Sequence, residues 1–187
     1  METRDIFVEQ FENMTDEEFK PYGQIFGIKK GDPSEDIEFV KCWSNNADLG
    51  SEPEAVDLCY CNLKRVDERV MASFAAKKGM PAWLEGFTGG SSVSKMERHP
   101  KTSESFFFLE GDVVIVVAPA DNTSDTPDLG RVRAFLCNSR HGMHLWKGTW
   151  HWPPIPVYEQ ARLGLVRKGK QDDFDRIDLG VELRLIL

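Results

Sequence analysis

Two apolar runs, residues 106–109 and 113–117, flank Glu110-Gly111-Asp112. Both are too short for a globular helix and rich in Phe and Val, so both predict strands. The Glu-Gly-Asp between them predicts a hairpin. Unbroken apolar runs of this length fit strands buried on both faces, as barrel strands are. Further strands are expected at 55–63, 68–75, 131–136, 144–150, 156–166 and 181–187. The turn clusters Gly31-Asp32-Pro33-Ser34 and Asn45-Asn46 interrupt them, as do a connection at 77–81 and a polar loop at 121–130. One helix is expected near 15–20, where Thr15 and Glu18 are spaced as a capping box and Pro21 ends the run. There is no internal repeat, long linker or β-α alternation. The pattern predicts a single all-β domain over residues 1–187, a barrel or sandwich with one short N-terminal helix.

Just before the first run stands Glu97-Arg98-His99-Pro100-Lys101-Thr102-Ser103-Glu104, which reads E-x-H-x4-E-x6-G through to Gly111. Residues two apart on a strand share a face, so Glu97 and His99 are expected to converge. Glu104 is expected to return to the same point from the neighbouring strand. Downstream, Gly148-Thr149-Trp150-His151 supplies G-x2-H. His99, Glu104 and His151, with Glu97, make a nitrogen and oxygen donor set of the kind that suits Ni, Mn, Fe(II) or Zn. Glu97 and Glu104 are also candidate general bases. Arg133 and Lys147 are candidate anchors for an anionic substrate. Trp150, in alternation with Trp146 and Trp152, is either a pocket lining or a packed wall. His141 and His144 read as structural.

The charge balance narrows the partners. With 31 Asp and Glu against 23 Lys and Arg, the net charge of −8 disfavours nucleic acid and anionic membrane surfaces. The acidic clusters, near the N-terminus and at Asp172-Asp173, read as solvated surface. No apolar run approaches membrane-spanning length, and no basic segment followed by an apolar core marks secretion. Cys59 and Cys61 would be strand neighbours that bridge poorly, so Cys42, Cys59, Cys61 and Cys137 are expected to be reduced in a cytoplasmic protein.

The 97–111 segment resembles the first metal motif of cupin barrels, with Glu97 in the place of a histidine. The 148–151 segment resembles the second, with Trp146 and Ile155 replacing its proline and asparagine. More specifically, four ordered blocks resemble the ureidoglycolate lyase (ureidoglycolate hydrolase) family. They are Phe19-Lys20-Pro21-Tyr22-Gly23, Glu97-Arg98-His99-Pro100, Pro127-Asp128-Leu129 with Arg133-Ala134-Phe135, and Gly148-Thr149-Trp150-His151. The resemblance implies a cupin double-stranded β-helix, or jelly-roll barrel. It also implies a homodimer that splits ureidoglycolate into glyoxylate and urea during purine or allantoin nitrogen catabolism. The chain departs from the family at Glu104, where glutamine is usual, and at Phe107-Phe108, where a proline is common. Two rivals therefore stand beside the lyase. One is a different metal-dependent cupin lyase, isomerase or oxygenase of a small hydroxy or keto acid. The other is a non-enzymatic ligand-binding cupin.

Overall fold

The computed structural model describes residues 2–27, 56–66, 69–76, 81–88, 92–121, 123–168 and 173–187. Cys42, Gly89-Gly90, Asp172, residues 77–80 and the turn clusters at 31–34 and 45–46 lie outside them. The strands are β1 (Glu2–Gln10), β2 (Gly23–Gly27), β3 (Val56–Val66), β4 (Arg69–Ala76), β5 (Pro81–Thr88), β6 (Ser92–Arg98) and β7 (Glu104–Glu110). They continue with β8 (Val113–Ala118), β9 (Arg133–Cys137), β10 (His141–Leu145), β11 (Trp150–Pro156), β12 (Gln160–Lys168) and β13 (Asp175–Ile186). The one α-helix described, α1, is Asp16–Phe19. Its capping box is complete: Thr15 accepts from the Glu18 amide, and the Glu18 carboxylate accepts from the Thr15 amide. This places the expected helix and its start signal.

The strands divide into two sheets. One closes on itself in the order β1-β13-β6-β11-β8-β9, and the other runs β2-β10-β7-β12-β3-β4-β5. Pairing is antiparallel throughout except where β1 lies parallel to β13 and to β9. Buried side chains from both sheets form one core cluster, including Val114 and Ile115 from the first and Phe106, Phe108, Met143 and Leu163 from the second. β8 is buried along its whole length, as its unbroken apolar sequence requires. This is the all-β architecture expected, with one short α-helix among the described residues, near the N-terminus.

Three local expectations are corrected. The segment Glu110-Gly111-Asp112 does not make a hairpin. β7 pairs with β10 and β12, whereas β8 pairs with β9 and β11. The turn is a corner that carries the chain from one sheet to the other. Gly111 has φ of +76°, and a Cβ there would lie 2.8 Å from the Gln160 carbonyl oxygen. The expected strand at 144–150 is broken by a turn, so that β10 ends at Leu145 and β11 begins at Trp150. Gly148, with φ of +78°, makes that reversal possible. Trp146 therefore leaves the strand that carries Trp150 and Trp152, and its indole N–H donates to the Lys20 carbonyl. Asp173 is not solvated surface. It is buried, and its carboxylate accepts from the Lys101 amide and the Thr102 hydroxyl.

Candidate active site

The E-x-H-x4-E segment crosses between the sheets. Glu97 lies on β6 in the closed sheet, His99 just beyond its end, and Glu104 at the first position of β7 in the other sheet. Glu104 thus returns from the facing sheet, not from a neighbouring strand. His151 stands directly opposite Glu97 in the β11–β6 register. The Gly148 amide donates to the His99 carbonyl at 2.8 Å, which ties the second motif to the first. All four side chains are buried and meet in the interior.

Backbone carbonyls orient both imidazoles. His99 Nδ1 is 2.6 Å from the Asp173 carbonyl oxygen, and His151 Nδ1 is 3.1 Å from that of Thr149. A carbonyl only accepts, so each Nδ1 carries a proton and each Nε2 is turned to the cluster. His151 Nε2 is 3.1 Å from Glu104 Oε2 and 3.8 Å from Glu97 Oε1. His99 Nε2 is 3.9 Å from Glu104 Oε1. One ligand atom each from Glu97, His99 and His151 lies within 4.8 Å of the others, a set able to hold a metal ion. Glu104 Oε2 is buried without an aligned hydrogen bond, an orphaned anionic atom 3.1 Å from His151 Nε2. Histidines anchored through Nδ1 and an unsatisfied carboxylate oxygen fit a divalent first-row cation.

The charges are coupled. Burial raises the carboxyl pKa of Glu104, but the His151 imidazole, with His99 and Arg167, outweighs it and holds the group below its usual value. Burial opposes a charged His151, yet Glu104 and Glu97 outweigh it and raise its pKa. In the metal-free chain, Glu104 and His151 therefore each favour the charged form of the other.

Three participants carried no sequence signal. Arg176 on β13 stands opposite Glu97 and donates to its Oε2 at 2.7 Å, with its guanidinium over the Trp152 and Phe174 rings. Arg167 on β12 stands opposite Glu104, and its Nη1 approaches His99 Nε2 at 3.4 Å. Asp173 fixes His99 through its carbonyl and the 101–102 loop through its carboxylate. Each is more than sixty residues along the chain from its partner, and only strand alternation pointed to the inward face.

The other sequence candidates sit elsewhere. Arg133 is held in a fork by Glu9, with one bond of 2.7 Å. In the register row His151, Val117, Arg133, it stands two strands from His151. Trp150 is fully buried, with the Arg98 guanidinium 4.6 Å from its ring centre. Lys147 lines a cavity of about 540 Å³ together with Arg98, Pro100, Asp125 and Trp146. None of the four cluster residues lines that cavity. His141 accepts from the Asn138 amide, and His144 is hydrogen-bonded to Ser105. Cys137 is buried, and burial pushes its thiol well up.

Two histidines and two carboxylates, from an E-x-H-x4-E segment and a G-x2-H segment, meet between the two sheets, which is the arrangement expected of a cupin-type barrel. The family model for ureidoglycolate lyase matches residues 8–185, and the chain belongs to the ureidoglycolate lyase family. A ureidoglycolate lyase of Pseudomonas syringae pv. tomato is 28% identical over 178 residues, covering 94% of this chain and 92% of that protein. One of Pseudomonas fluorescens is 39% identical over 98 residues, covering 51% of this chain and 57% of that protein. Among solved structures, an oxalate decarboxylase of Bacillus subtilis aligns with a TM-score of 0.34 at 16% identity, over 59% of this chain and 23% of that one.

Proposed function

We propose that the chain is a ureidoglycolate lyase whose chemistry is carried out by Glu97, His99, Glu104 and His151. The observation that carries this reading is their convergence between the two sheets in a chain of this family. The reaction removes urea from a carbon that bears hydroxyl, carboxylate and ureido groups. The hydroxyl loses its proton as C=O forms, the C–N bond breaks, and its electron pair leaves with nitrogen. That nitrogen then takes up a proton, so glyoxylate and urea account for every atom.

Nε2 of His99 and of His151, with one oxygen each from Glu97 and Glu104, would hold a divalent cation, Ni, Mn, Fe or Zn. When bound, the cation lowers the pKa of the substrate hydroxyl. Oε2 of Glu104 takes the hydroxyl proton, since it is buried, held ionised beside His151 Nε2 at 3.1 Å, and without an aligned hydrogen bond. The same oxygen returns the proton to the leaving nitrogen. Arg176 neutralises the second oxygen of Glu97, which fixes that carboxylate on the cluster. Asp173 and Thr149 keep both Nε2 atoms unprotonated in the working state by holding the proton on Nδ1.

The reading extends to a cytoplasmic homodimer acting in purine nitrogen recovery. Exposed Phe7 and Leu187, brought together by the Phe7–Ile186 register, offer apolar surface for a second copy. No helix among the described residues is long and apolar enough to cross a membrane. One preparation tests the proposal: metal analysis, light scattering, and release of urea and glyoxylate from racemic ureidoglycolate. Stoichiometric metal, a dimer and urea release are expected. Metal-loaded protein that releases no urea rules out the lyase reading.

A further inference from the structure

We infer that Arg167, and neither Arg133 nor Lys147, binds the carboxylate of the substrate, an assignment that rests on the lyase reading. A substrate carboxylate next to two buried glutamates needs a cation within reach. Four cationic residues come into question, and the structure commits three of them elsewhere. Arg176 is bonded to Glu97 at 2.7 Å, and Arg133 is forked onto Glu9. Lys147 lines the cavity shared with Arg98, which follows Glu97 on β6 and turns to the sheet's other face, toward Trp150.

Arg167 differs in each respect. It is half-buried and stands opposite Glu104 in the β12–β7 register, so its side chain shares the inward face. Its hydrogen bond among the described residues is the long 3.4 Å approach to His99 Nε2. It makes no ion pair with a carboxylate of the described residues. Nε2 of His99 is the atom the cluster needs for a cation, so the guanidinium must turn from it when the site works. A planar fork of donors released beside the reacting carbon matches a carboxylate bidentately. The half-exposed Phe174 ring lies 5.9 Å from the His99 ring.

The experiment compares ligands that differ in the carboxylate alone. N-(hydroxymethyl)urea is ureidoglycolate with hydrogen in place of the carboxylate, and glyoxylate is the carboxylate product. In Arg167→Gln, glyoxylate affinity and kcat/KM for ureidoglycolate should each fall about 10- to 100-fold. Urea release from N-(hydroxymethyl)urea, metal content and melting temperature should stay near wild-type. Arg167→Lys should recover part of the loss, because it restores charge without the fork. Arg162→Gln, on the same strand but in an exposed pair with Glu110, should change none of these. Equal glyoxylate affinity in Arg167→Gln and wild type overturns the assignment. So does an equal loss on both substrates, which would mean that Arg167 acts through His99. Wild-type protein that binds no glyoxylate overturns it as well. Arg167-dependent glyoxylate binding without any urea release would sink the lyase reading and leave the carboxylate assignment standing.

Discussion

Glu104 stands where the resemblance to the family leads one to expect glutamine, and of the four cluster residues it alone has a buried side-chain atom without an aligned hydrogen bond. One oxygen has no aligned hydrogen bond, and the charges of His151, His99 and Arg167 keep the group ionised. Glu104→Gln removes the proton acceptor while preserving size, so turnover on ureidoglycolate should fall about 100-fold. Metal affinity should fall with it, read by equilibrium dialysis against a competing chelator. A glutamine variant with full turnover would show that the usual family residue suffices and that the proton goes elsewhere. The four cluster residues were legible in the sequence because a strand repeats every two residues and Glu97, His99 and Glu104 lie within one short segment. Arg167, Arg176 and Asp173 were not legible. They reach the cluster from β12, β13 and the segment between them, through sheet pairings that no local spacing encodes. Arg133 had the chemistry of a carboxylate anchor, but sequence spacing does not show that Glu9 occupies its fork.

At the scale of elements, strong local signals held where the local physics decides. The capping box set the start of α1, and unbroken Val and Ile set β8. β1 was invisible because its residues are mostly polar and exposed, with Ile6 the one buried among them; its conformation is imposed by β13 and β9. The Glu110-Gly111-Asp112 corner was misread because a hairpin and a sheet-to-sheet corner demand the same turn residues. The difference lies in which partners β7 and β8 find. That corner links the strand carrying Glu104 to the strand beside His151. Gly111→Ala should destabilise the fold by more than about 1 kcal/mol, from its positive φ and the close Gln160 carbonyl. Urea denaturation checks this through a lower midpoint with an unchanged slope. A midpoint equal to wild type would show that the corner relaxes without cost.

For the whole molecule, the central question is what closes the six-stranded sheet. β1 joins β13 to β9, pairing with one through Glu2–Phe7 and with the other through Val8–Gln10. Apolar burial holds it weakly, since Ile6 alone is buried on it. Two ion pairs add to the backbone ladder: Asp5 with Arg184 at 2.7 Å, and Glu9 with Arg133. The first is exposed and contributes little. The second is half-buried and forked, and its guanidinium also lies 5.1 Å from the Phe135 ring centre. Arg133 therefore works as the clasp of the sheet. Arg133→Gln should lower the unfolding free energy by about 1–2 kcal/mol, from the lost charged hydrogen bonds and the uncompensated Glu9. Near the N-terminus, amide exchange in β1 should accelerate more than exchange in β8, because the clasp acts on closure and not on the core. The KM for ureidoglycolate should be unchanged, in contrast to Arg167→Gln. A raised KM with stability and β1 exchange intact would place Arg133 in the substrate site and leave the closure of the sheet to the backbone pairing alone.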